Sequence, residues 1–530
     1  MRLALALLTA ALFGAPLLAA AAATSASTVL PNGTYLYAID VGGQAVGKST
    51  IVVSREPGSI EIGESASVIG QSLVTRRTLT ASTWATVSYS GSSGAKSFSV
   101  NIRENQAVLT AGAVTKQISG DSGTPLVVSE NLVAAFAQLP AMLHVTGATH
   151  VTLACICGGG FTAVPGRASA TSAARPAGVP TGDAALDLDF AATKAIVWYD
   201  PHSFVMHRFE VPAQRFVVAL QSYDPAIAPL ALPVQPTPLP TPPAKYSSSE
   251  VTIVADDGIK LRGTLTLPDG AARPVPAFLF VHGSGCLDRD ETIGPNKVFG
   301  QLANRLSNDG YAVLRYDKRA CGRSGGTYAV RDRLLADARD ALTFLRAQPG
   351  IDPARIYVLG HSEGGELAPS IAIADKRLRG IVLMAPPAIP LEKILMQQAL
   401  HDAPDADRAA IATQEQAALA GIASGKAADV SSRWLRSTFG IDPAVLIAQV
   451  PCPILILQGT KDFQVLPADT PRLVAAARAA NRNVTVVMLP NDDHLFITIP
   501  ADRESSLSEY FVPAYLDPAL FGAIESWLNN

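Results

Sequence analysis

A chain of 530 residues is too long for one ordinary hydrophobic core, so two domains are expected. Its formal net charge of −3 argues against electrostatic binding of nucleic acid, and no nucleic-acid partner is expected. A hydrophobic content of 48% with only 16% charged residues is typical of a packed globular protein and excludes a disordered one.

The first residues have the pattern of a secretory signal peptide. Arg2 precedes an apolar run, and the small residues of "LLAAAAATSAS" follow it. Residues 1–24 are therefore predicted to be removed on export to the periplasm or the medium, which leaves no stable membrane span. The alternative is an uncleaved anchor helix, because the apolar run nearly reaches the roughly 20 residues that span a bilayer.

Residues 25–223 are rich in predicted strands. Two apolar, β-branched runs flank a Gly-Gly pair in "GTYLYAIDVGGQAVGKSTIVV", and "ATKAIVWYDPHSFVMHRFEVP" repeats the hairpin pattern around Asp-Pro. One helix is expected in "SENLVAAFAQLPAML", with Ser129 as its N-cap. The region is predicted to be an antiparallel sheet curved into a barrel or half-barrel, a shape that can enclose an apolar ligand.

The sequence pattern changes after a proline-rich stretch at 224–245, which predicts a semi-rigid linker. In residues 246–530 apolar strands alternate with helices, which predicts a mainly parallel sheet covered on both faces. Residues 391–449 are helical and too long for a simple crossover, so a cap inserted over the sheet is predicted. Trp434 and Phe439 are candidate walls of a substrate pocket in that cap, or they simply pack the cap onto the sheet.

The stretch "RIYVLGHSEGGELAPSIAIA" places Ser362 in a glycine-rich turn between a predicted strand and a predicted helix. Gly360 and Gly364 complete G-x-S-x-G, the nucleophile elbow, in which a strained serine needs neighbours without side-chain bulk. The alternative is a glycine-rich turn with an incidental serine. The strand-turn-helix context favours the elbow, so Ser362 is the predicted nucleophile.

A serine nucleophile needs a base and an acid, which follow it in the chain in the order acid, then histidine. Only His401 and His494 follow the serine, and His401 lies in the predicted cap, so His494 is the predicted base. Asp462 follows the strand "PILILQG" and is the predicted acid, which holds the imidazole tautomer and stabilises its cation. Asp492 and Asp493, beside the histidine in sequence, are the rival acids.

The oxyanion of a tetrahedral intermediate needs backbone donors. One is the N–H of Glu363, directly after the nucleophile. The second is expected in "FVHGSGCLDRD", where the N–H of Ser284 is the candidate. No metal site is predicted from the spacing of histidine, cysteine and acidic residues, and no motif indicates an organic cofactor.

Three stretches, "VHGSGCLDRDETIGPNKVF", "YAVLRYDKRACGRSGG" and "IYVLGHSEGG", together resemble the α/β-hydrolase superfamily. Within it they resemble the bacterial EstD-type carboxylesterases and the wider serine aminopeptidase-like hydrolases. The resemblance covers residues 246–530 and implies an α/β-hydrolase domain that hydrolyses short-chain acyl esters through Ser362, Asp462 and His494. The D-R-D stretch of that family falls on residues 288–290. These residues either line the pocket or form ion pairs within the protein that hold the oxyanion loop, and the second role is favoured.

Other functions use the same residues. A thioesterase or a peptidase would employ the same triad, and fold membership does not choose among small-molecule substrates. The alternative from another class is an envelope-binding or lipid-binding protein that acts through its strand-rich domain and carries a vestigial hydrolase.

Cys286 and Cys321 each follow a predicted strand, and these two strands are neighbours in the α/β-hydrolase order. Their loops should therefore emerge side by side, and an oxidising compartment would allow a disulfide between them. The alternative is two buried free thiols.

Overall fold

The computed structural model describes residues 29–529 except 42–43, 69–70, 94–95, 104–105, 112–113, 120–125, 130–132, 158–159, 172, 191–192, 213–214, 230–238, 328, 402–404, 406–407, 426–429, 507–508 and 511. The predicted signal peptide, residues 1–24, lies outside the described residues. The chain divides into two compact units, Met1–Gln235 and Pro236–Asn530. This division falls within the stretch predicted as a linker, part of which also lies outside the described residues.

Among the described residues, the first unit contains a 15-stranded sheet and one α-helix. Its strands are β1 (Gly33–Val41), β2 (Gln44–Glu56), β3 (Ser59–Val68), β4 (Gln71–Thr80), β5 (Thr86–Ser93), β6 (Lys96–Arg103), β7 (Gln106–Ala111), β8 (Val114–Ser119), β9 (Leu126–Ser129), β10 (His150–Cys157), β11 (Gly160–Ala170), β12 (Ala184–Phe190), β13 (Thr193–Tyr199), β14 (Met206–Val211) and β15 (Phe216–Asp224). Helix α1 spans Val133–Thr146. The strand order is β8-β7-β6-β5-β4-β3-β2-β1-β15-β14-β13-β12-β11-β10-β9, and only β9 and β10 pair in parallel.

This sheet curves back on itself around the helix. Strand β9 approaches β5, and β11 approaches β8. Residues 133–143 of α1 are buried without a solvent-facing stripe, and they share one hydrophobic core with the inward side chains of the sheet. A helix that is apolar all round must be enclosed. The predicted barrel or half-barrel is confirmed, and its core is filled by protein side chains.

The N-terminus of α1 is capped from the sheet, and the predicted N-cap Ser129 does not directly precede the helix, which begins at Val133. Ser129 is the last residue of β9. The buried Glu64 carboxylate on β3 instead accepts hydrogen bonds from the N–H groups of Val133, at 3.1 Å, and Ala134, at 3.0 Å. A carboxylate at a helix N-terminus satisfies orphan donors and complements the helix dipole. The cap comes from a residue remote in sequence, which local pattern cannot indicate.

The second unit contains an eight-stranded sheet, a two-stranded ribbon and nine described helices. The strands are β16 (Tyr246–Val254), β17 (Lys260–Pro268), β18 (Val275–Val281), β19 (Thr292–Ile293), β20 (Asn296–Lys297), β21 (Ala312–Tyr316), β22 (Ile351–His361), β23 (Gly380–Met384), β24 (Ile454–Gly459) and β25 (Val484–Leu489). The helices are α2 (Val298–Asn308), α3 (Arg331–Arg346), α4 (Glu363–Ala374), α5 (Leu391–Leu400), α6 (Arg408–Ala423), α7 (Val430–Thr438), α8 (Pro443–Ile447), α9 (Thr470–Ala479) and α10 (Pro518–Leu528).

The order of the large sheet is β16-β17-β21-β18-β22-β23-β24-β25. An antiparallel hairpin, β16 and β17, forms one edge, and the strands from β21 to β25 run parallel. The central strands are buried on both faces, which explains their uninterrupted apolar sequences. The predicted doubly covered parallel sheet is confirmed.

Helices α5 to α8 occupy the segment between β23 and β24 that the sequence predicts to be a helical cap. The end of the predicted linker packs on this second unit. The carbonyl of Pro240 accepts a hydrogen bond from the Tyr515 hydroxyl at 2.8 Å, and that of Pro242 accepts one from Asn304 Nδ2 at 3.1 Å. These prolines therefore form part of the folded unit.

Candidate active site

Ser362 stands alone between β22 and α4 with φ 53° and ψ −115°. A non-glycine residue with positive φ is uncommon, and such strain concentrates at functional sites. A Cβ atom at Gly360 would lie 2.1 Å from the Gly364 carbonyl oxygen, and one at Gly364 would lie 1.9 Å from that of Val281. The two glycines are required because strand β18, the turn and α4 meet without space for side chains.

Asp462 and His494 follow β24 and β25 and are joined by a hydrogen bond. His494 Nδ1 lies 2.8 Å from Asp462 Oδ2, and both side chains are buried. With Nδ1 engaged by the carboxylate, the other ring nitrogen, Nε2, is the one available to exchange a proton with a nucleophile.

The Asp462 carboxylate is fixed by three further donors. Gln458 Nε2 donates to Oδ2 at 2.9 Å, while the backbone N–H groups of Gln464 and Val465 donate to Oδ1 at 2.8 and 2.9 Å. These hydrogen bonds hold the orientation of the carboxylate toward the imidazole.

The rival acids are engaged elsewhere. Asp492 Oδ1 accepts from Thr498 Oγ1 at 2.9 Å, and Asp493 Oδ1 accepts from the N–H of Leu495 at 2.8 Å. Burial is the main reason that the pKa of each carboxyl is raised to about 7. Their contacts shape the turn that carries His494, and neither replaces Asp462 at the ring.

The elbow and the base loop lie side by side. His361 Nε2 lies 2.9 Å from the backbone oxygen of His494, and the two imidazole rings are 4.9 Å apart. Ser362 is partly exposed, and within the described residues its hydroxyl makes no hydrogen bond. Hydrogen bonds between nucleophile and base are often loose before substrate binds.

A buried carboxylate that the sequence did not single out, Glu291, connects these loops. Its Oε1 accepts from the N–H of Gly283 at 2.6 Å, and its Oε2 lies 3.1 Å from His361 Nδ1. Burial alone would lower the pKa of His361, but the Glu291 carboxylate offsets it and the pKa is raised. The pair joins the loop after β18 to the elbow and, through His361, to His494. No motif marks Glu291 beyond its place directly after the D-R-D stretch.

Two backbone donors were predicted for the oxyanion, and neither is used elsewhere. The N–H groups of Ser284 and Glu363 donate no hydrogen bond to any residue that the structure describes. Ser284 is exposed, and its neighbour Gly283 approaches the elbow so closely that a Cβ there would lie 3.2 Å from Ser362 Cβ. The arrangement leaves both donors available to a ligand.

The D-R-D residues pair internally, as favoured from the sequence. Arg289 binds Asp317 through two parallel hydrogen bonds of 3.1 and 3.0 Å. Asp290 pairs with Arg315, and Asp288 Oδ1 accepts the N–H of Asp290 at 3.1 Å. The pairs with Asp317 and Arg315 hold the loop after β18 against β21 and the loop that follows it.

A disulfide joins the same two loops. Cys286 and Cys321 are bonded, with Cα atoms 5.3 Å apart, and their preceding strands β18 and β21 are parallel neighbours. This is the pairing that the strand order predicts. Cys286 is exposed, whereas Cys321 is buried.

Replacing Cys286 and Cys321 together with serine is expected to lower the free energy of unfolding. The bridge closes a loop with a sequence separation of 35, and constraining such a loop in the unfolded chain contributes about 3–4 kcal/mol. Urea titration of the oxidised protein and of the double variant measures the difference. Equal unfolding midpoints and slopes would contradict a stabilising bridge.

The cap contacts the elbow through Trp434. Its Nε1 donates to Glu363 Oε1 at 2.6 Å, and its side chain is buried. Phe439 follows α7 and is partly buried, and among the described residues no ring contact joins it to the predicted triad. A second cap residue, His401, stacks on Phe463 with ring centroids 5.2 Å apart. The acid loop therefore also contacts the cap.

Comparison with known proteins agrees with this geometry. A family model described as "Alpha/beta hydrolase family" matches residues 278–503. Esterase EstD of Thermotoga maritima is 30% identical over 297 residues, covering 54% of this chain and 68% of that protein. The chain belongs to the alpha/beta hydrolase family.

Other similar proteins are less identical in sequence or match over less of their length. Thiohydrolase aneE of Aspergillus aculeatus is 36% identical over 141 residues, which cover 26% of this chain and 41% of that protein. The solved structure of Est1E from Butyrivibrio proteoclasticus is 17% identical with a TM-score of 0.36, covering 53% of this chain and 98% of that one. The family-model match lies entirely in the second unit.

Proposed function

We propose that this alpha/beta hydrolase is an exported serine carboxylesterase that hydrolyses short-chain acyl esters. The observation that carries the proposal is one arrangement at the carboxyl end of the parallel sheet. A strained serine at an elbow lies beside a loop whose histidine is held by a buried, four-fold hydrogen-bonded aspartate. The similarity to an esterase supports the same reaction class.

In the proposed mechanism Ser362 Oγ attacks the ester carbonyl carbon, and its proton passes to His494 Nε2. Asp462 stabilises the imidazolium that forms. The oxyanion of the tetrahedral intermediate accepts hydrogen bonds from the N–H groups of Ser284 and Glu363. Collapse of the intermediate expels the alcohol, which takes the proton from His494. Water then attacks the acyl-enzyme, His494 removes a proton from that water, and the proton passes to Ser362 Oγ as the acid is released.

Two observations weigh against the rival activities. A peptidase that recognises a free amino group needs an available carboxylate, but both oxygens of Glu363 are bonded, to Lys318 Nζ at 2.7 Å and to Trp434. A lipid carrier needs an empty apolar interior, but α1 fills the core of the first unit. A thioesterase shares the mechanism, and its usual coenzyme A substrates are not expected outside the cell.

Export is proposed from the signal-like start of the sequence. The Cys286–Cys321 disulfide supports it, because such bonds persist mainly in oxidising compartments. Within the described residues, none of the helices has both the length and the apolar character needed to cross a membrane.

A series of p-nitrophenyl esters of increasing acyl length tests the proposal. Short-chain esters are expected to be hydrolysed fastest, with turnover lost in Ser362→Ala. A matched series of acyl thioesters and aminoacyl p-nitroanilides separates the rival activities. Faster turnover of either of those substrates than of any oxygen ester would overturn the esterase assignment.

Replacing Trp434 with alanine is expected to shift the preferred acyl length, because removing a buried indole beside the residue that follows Ser362 enlarges the space near the acyl group. The acyl series measured on folded variant protein gives the result. An unchanged preference for acyl length would show that Trp434 does not line the substrate pocket and only packs within the cap.

A further inference from the structure

One peptide group links the predicted oxyanion donor to a buried cation. The carbonyl of Gly283 and the N–H of Ser284 belong to the same planar trans unit, so they point in opposite directions. Lys318 Nζ donates to the Gly283 oxygen at 2.8 Å. Fixing that carbonyl therefore fixes the direction of the Ser284 N–H on the other side of the peptide plane.

The same ammonium group binds the residue that carries the second donor. Lys318 Nζ lies 2.7 Å from Glu363 Oε2, and only 4% of the Lys318 side chain and 7% of the Glu363 side chain are exposed. Charges so deeply buried persist only when they are paired and hydrogen-bonded, and removing one partner leaves the other uncompensated. Lys318 thus contacts both segments whose N–H groups face the proposed oxyanion.

The cap is attached to this cluster as well. Trp434 Nε1 donates to the remaining oxygen of Glu363 at 2.6 Å. The chain of contacts runs from α7 of the cap through Glu363 and Lys318 to the Gly283 carbonyl, and each member is buried. A change in the position of the cap would therefore reach the oxyanion loop directly.

We propose that Lys318 is a positioning residue that aims the two oxyanion donors, and that Glu363 and Trp434 couple it to the cap. This inference rests on the proposed esterase function. Lys318 polarises the Gly283–Ser284 peptide group, which makes the Ser284 N–H a stronger donor when negative charge develops on the substrate oxygen. Such preorganised dipoles act on the transition state and contribute little to ground-state binding.

Lys318→Met tests the proposal, because methionine keeps an unbranched chain without the ammonium group. Losing one oxyanion donor typically lowers kcat about 10²–10³-fold. We expect a loss of that order in kcat with KM nearly unchanged. A trifluoromethyl ketone with a short acyl group, which forms a tetrahedral adduct with the serine, should lose affinity by a similar factor.

Two variants guard against a merely structural explanation. The double variant Lys318→Met/Glu363→Gln removes both buried charges together, so it restores charge balance and still accepts the Trp434 hydrogen bond; it should retain the losses in kcat and ketone affinity. Arg346→Met breaks a different pair, which joins the last residue of α3 to Asp375, directly after the far end of α4, at 2.5 Å, and it should leave both parameters unchanged.

Trp434→Phe tests the coupling to the cap, because it keeps an aromatic side chain and removes the indole N–H together with one of the two fused rings. It should lower kcat and ketone affinity in the same direction as Lys318→Met, by a smaller factor. A ketone affinity equal to that of the wild-type protein would show that Trp434 does not influence the oxyanion donors.

The outcomes separate this inference from the proposed function. Wild-type kcat or wild-type ketone affinity in the double variant, or a loss confined to KM, would overturn the positioning role while ester hydrolysis stands. A wild-type protein that hydrolyses no ester and forms no ketone adduct would overturn the proposed function itself.

Discussion

Replacing Ser362 with alanine is expected to lower the turnover of ester hydrolysis about a million-fold. The loss of a triad serine alone typically costs this much, because attack, covalent acylation and deacylation all depend on its oxygen. The alanine methyl group fits wherever the serine side chain fits, so the positive-φ turn and the core beneath it should persist. Initial rates on a p-nitrophenyl ester and thermal unfolding of both proteins measure the two effects.

A matched control for this variant is Ser370→Ala, which removes a serine hydroxyl from α4, the helix that directly follows Ser362. Its Oγ accepts a hydrogen bond from Arg331 and it lies two turns along the helix from the elbow. Substantial turnover in Ser362→Ala, in a preparation free of other esterases, would show that the elbow does not carry the nucleophile.

His494→Ala is expected to match the serine variant in severity, whereas His401→Ala should retain most of its turnover. His494 is held by Asp462 and follows β25, while His401 follows α5 in the cap and stacks on Phe463. Without the His494 imidazole, no base removes the proton of Ser362, and no acid gives a proton to the leaving alcohol.

Rates of the two histidine variants on the same ester measure the difference. Exogenous imidazole should restore part of the activity of His494→Ala, and it should have no effect on His401→Ala. Equal losses at the two positions would contradict the assignment of the base, which depends on chain order and on the Asp462 contact.

The fold of the second unit could be predicted because each local pattern agrees with the global one. Continuous apolar strands such as "FLFV" and "ILIL" need a sheet covered on both faces, and the helices between them supply the cover. The first unit was predictable as a curved antiparallel sheet but not in its details. The sequence pattern favours Ser129 as the cap, but Glu64 on β3 accepts the hydrogen bonds at the helix N-terminus. The fold brings this strand residue, which is remote in sequence, next to the start of the helix.

The candidate site also contains some residues that the sequence predicts and others that it does not. The elbow is visible in sequence because its geometry demands glycine at fixed spacing, and Asp462 and His494 follow from the order of strands. Glu291 and Lys318 were not predicted, because they carry no spacing rule and act only through loops that the fold brings together. The D-R-D stretch was predicted in part: the sequence indicated that these residues form ion pairs, but it did not identify Arg315 as a partner.

Labelling with a fluorophosphonate shows whether Ser362 is a nucleophile activated by a base and by oxyanion donors. The reagent phosphonylates a serine only where a base removes its proton and donors stabilise the charged oxygen, so it reports the assembled machinery and not the mere presence of a hydroxyl. Peptide mass spectrometry of the inactivated protein should find one phosphonyl group per chain, on Ser362, with esterase activity lost in proportion to labelling. Stoichiometric modification of a different residue, or full activity after Ser362 is modified, would show that Ser362 is not the nucleophile.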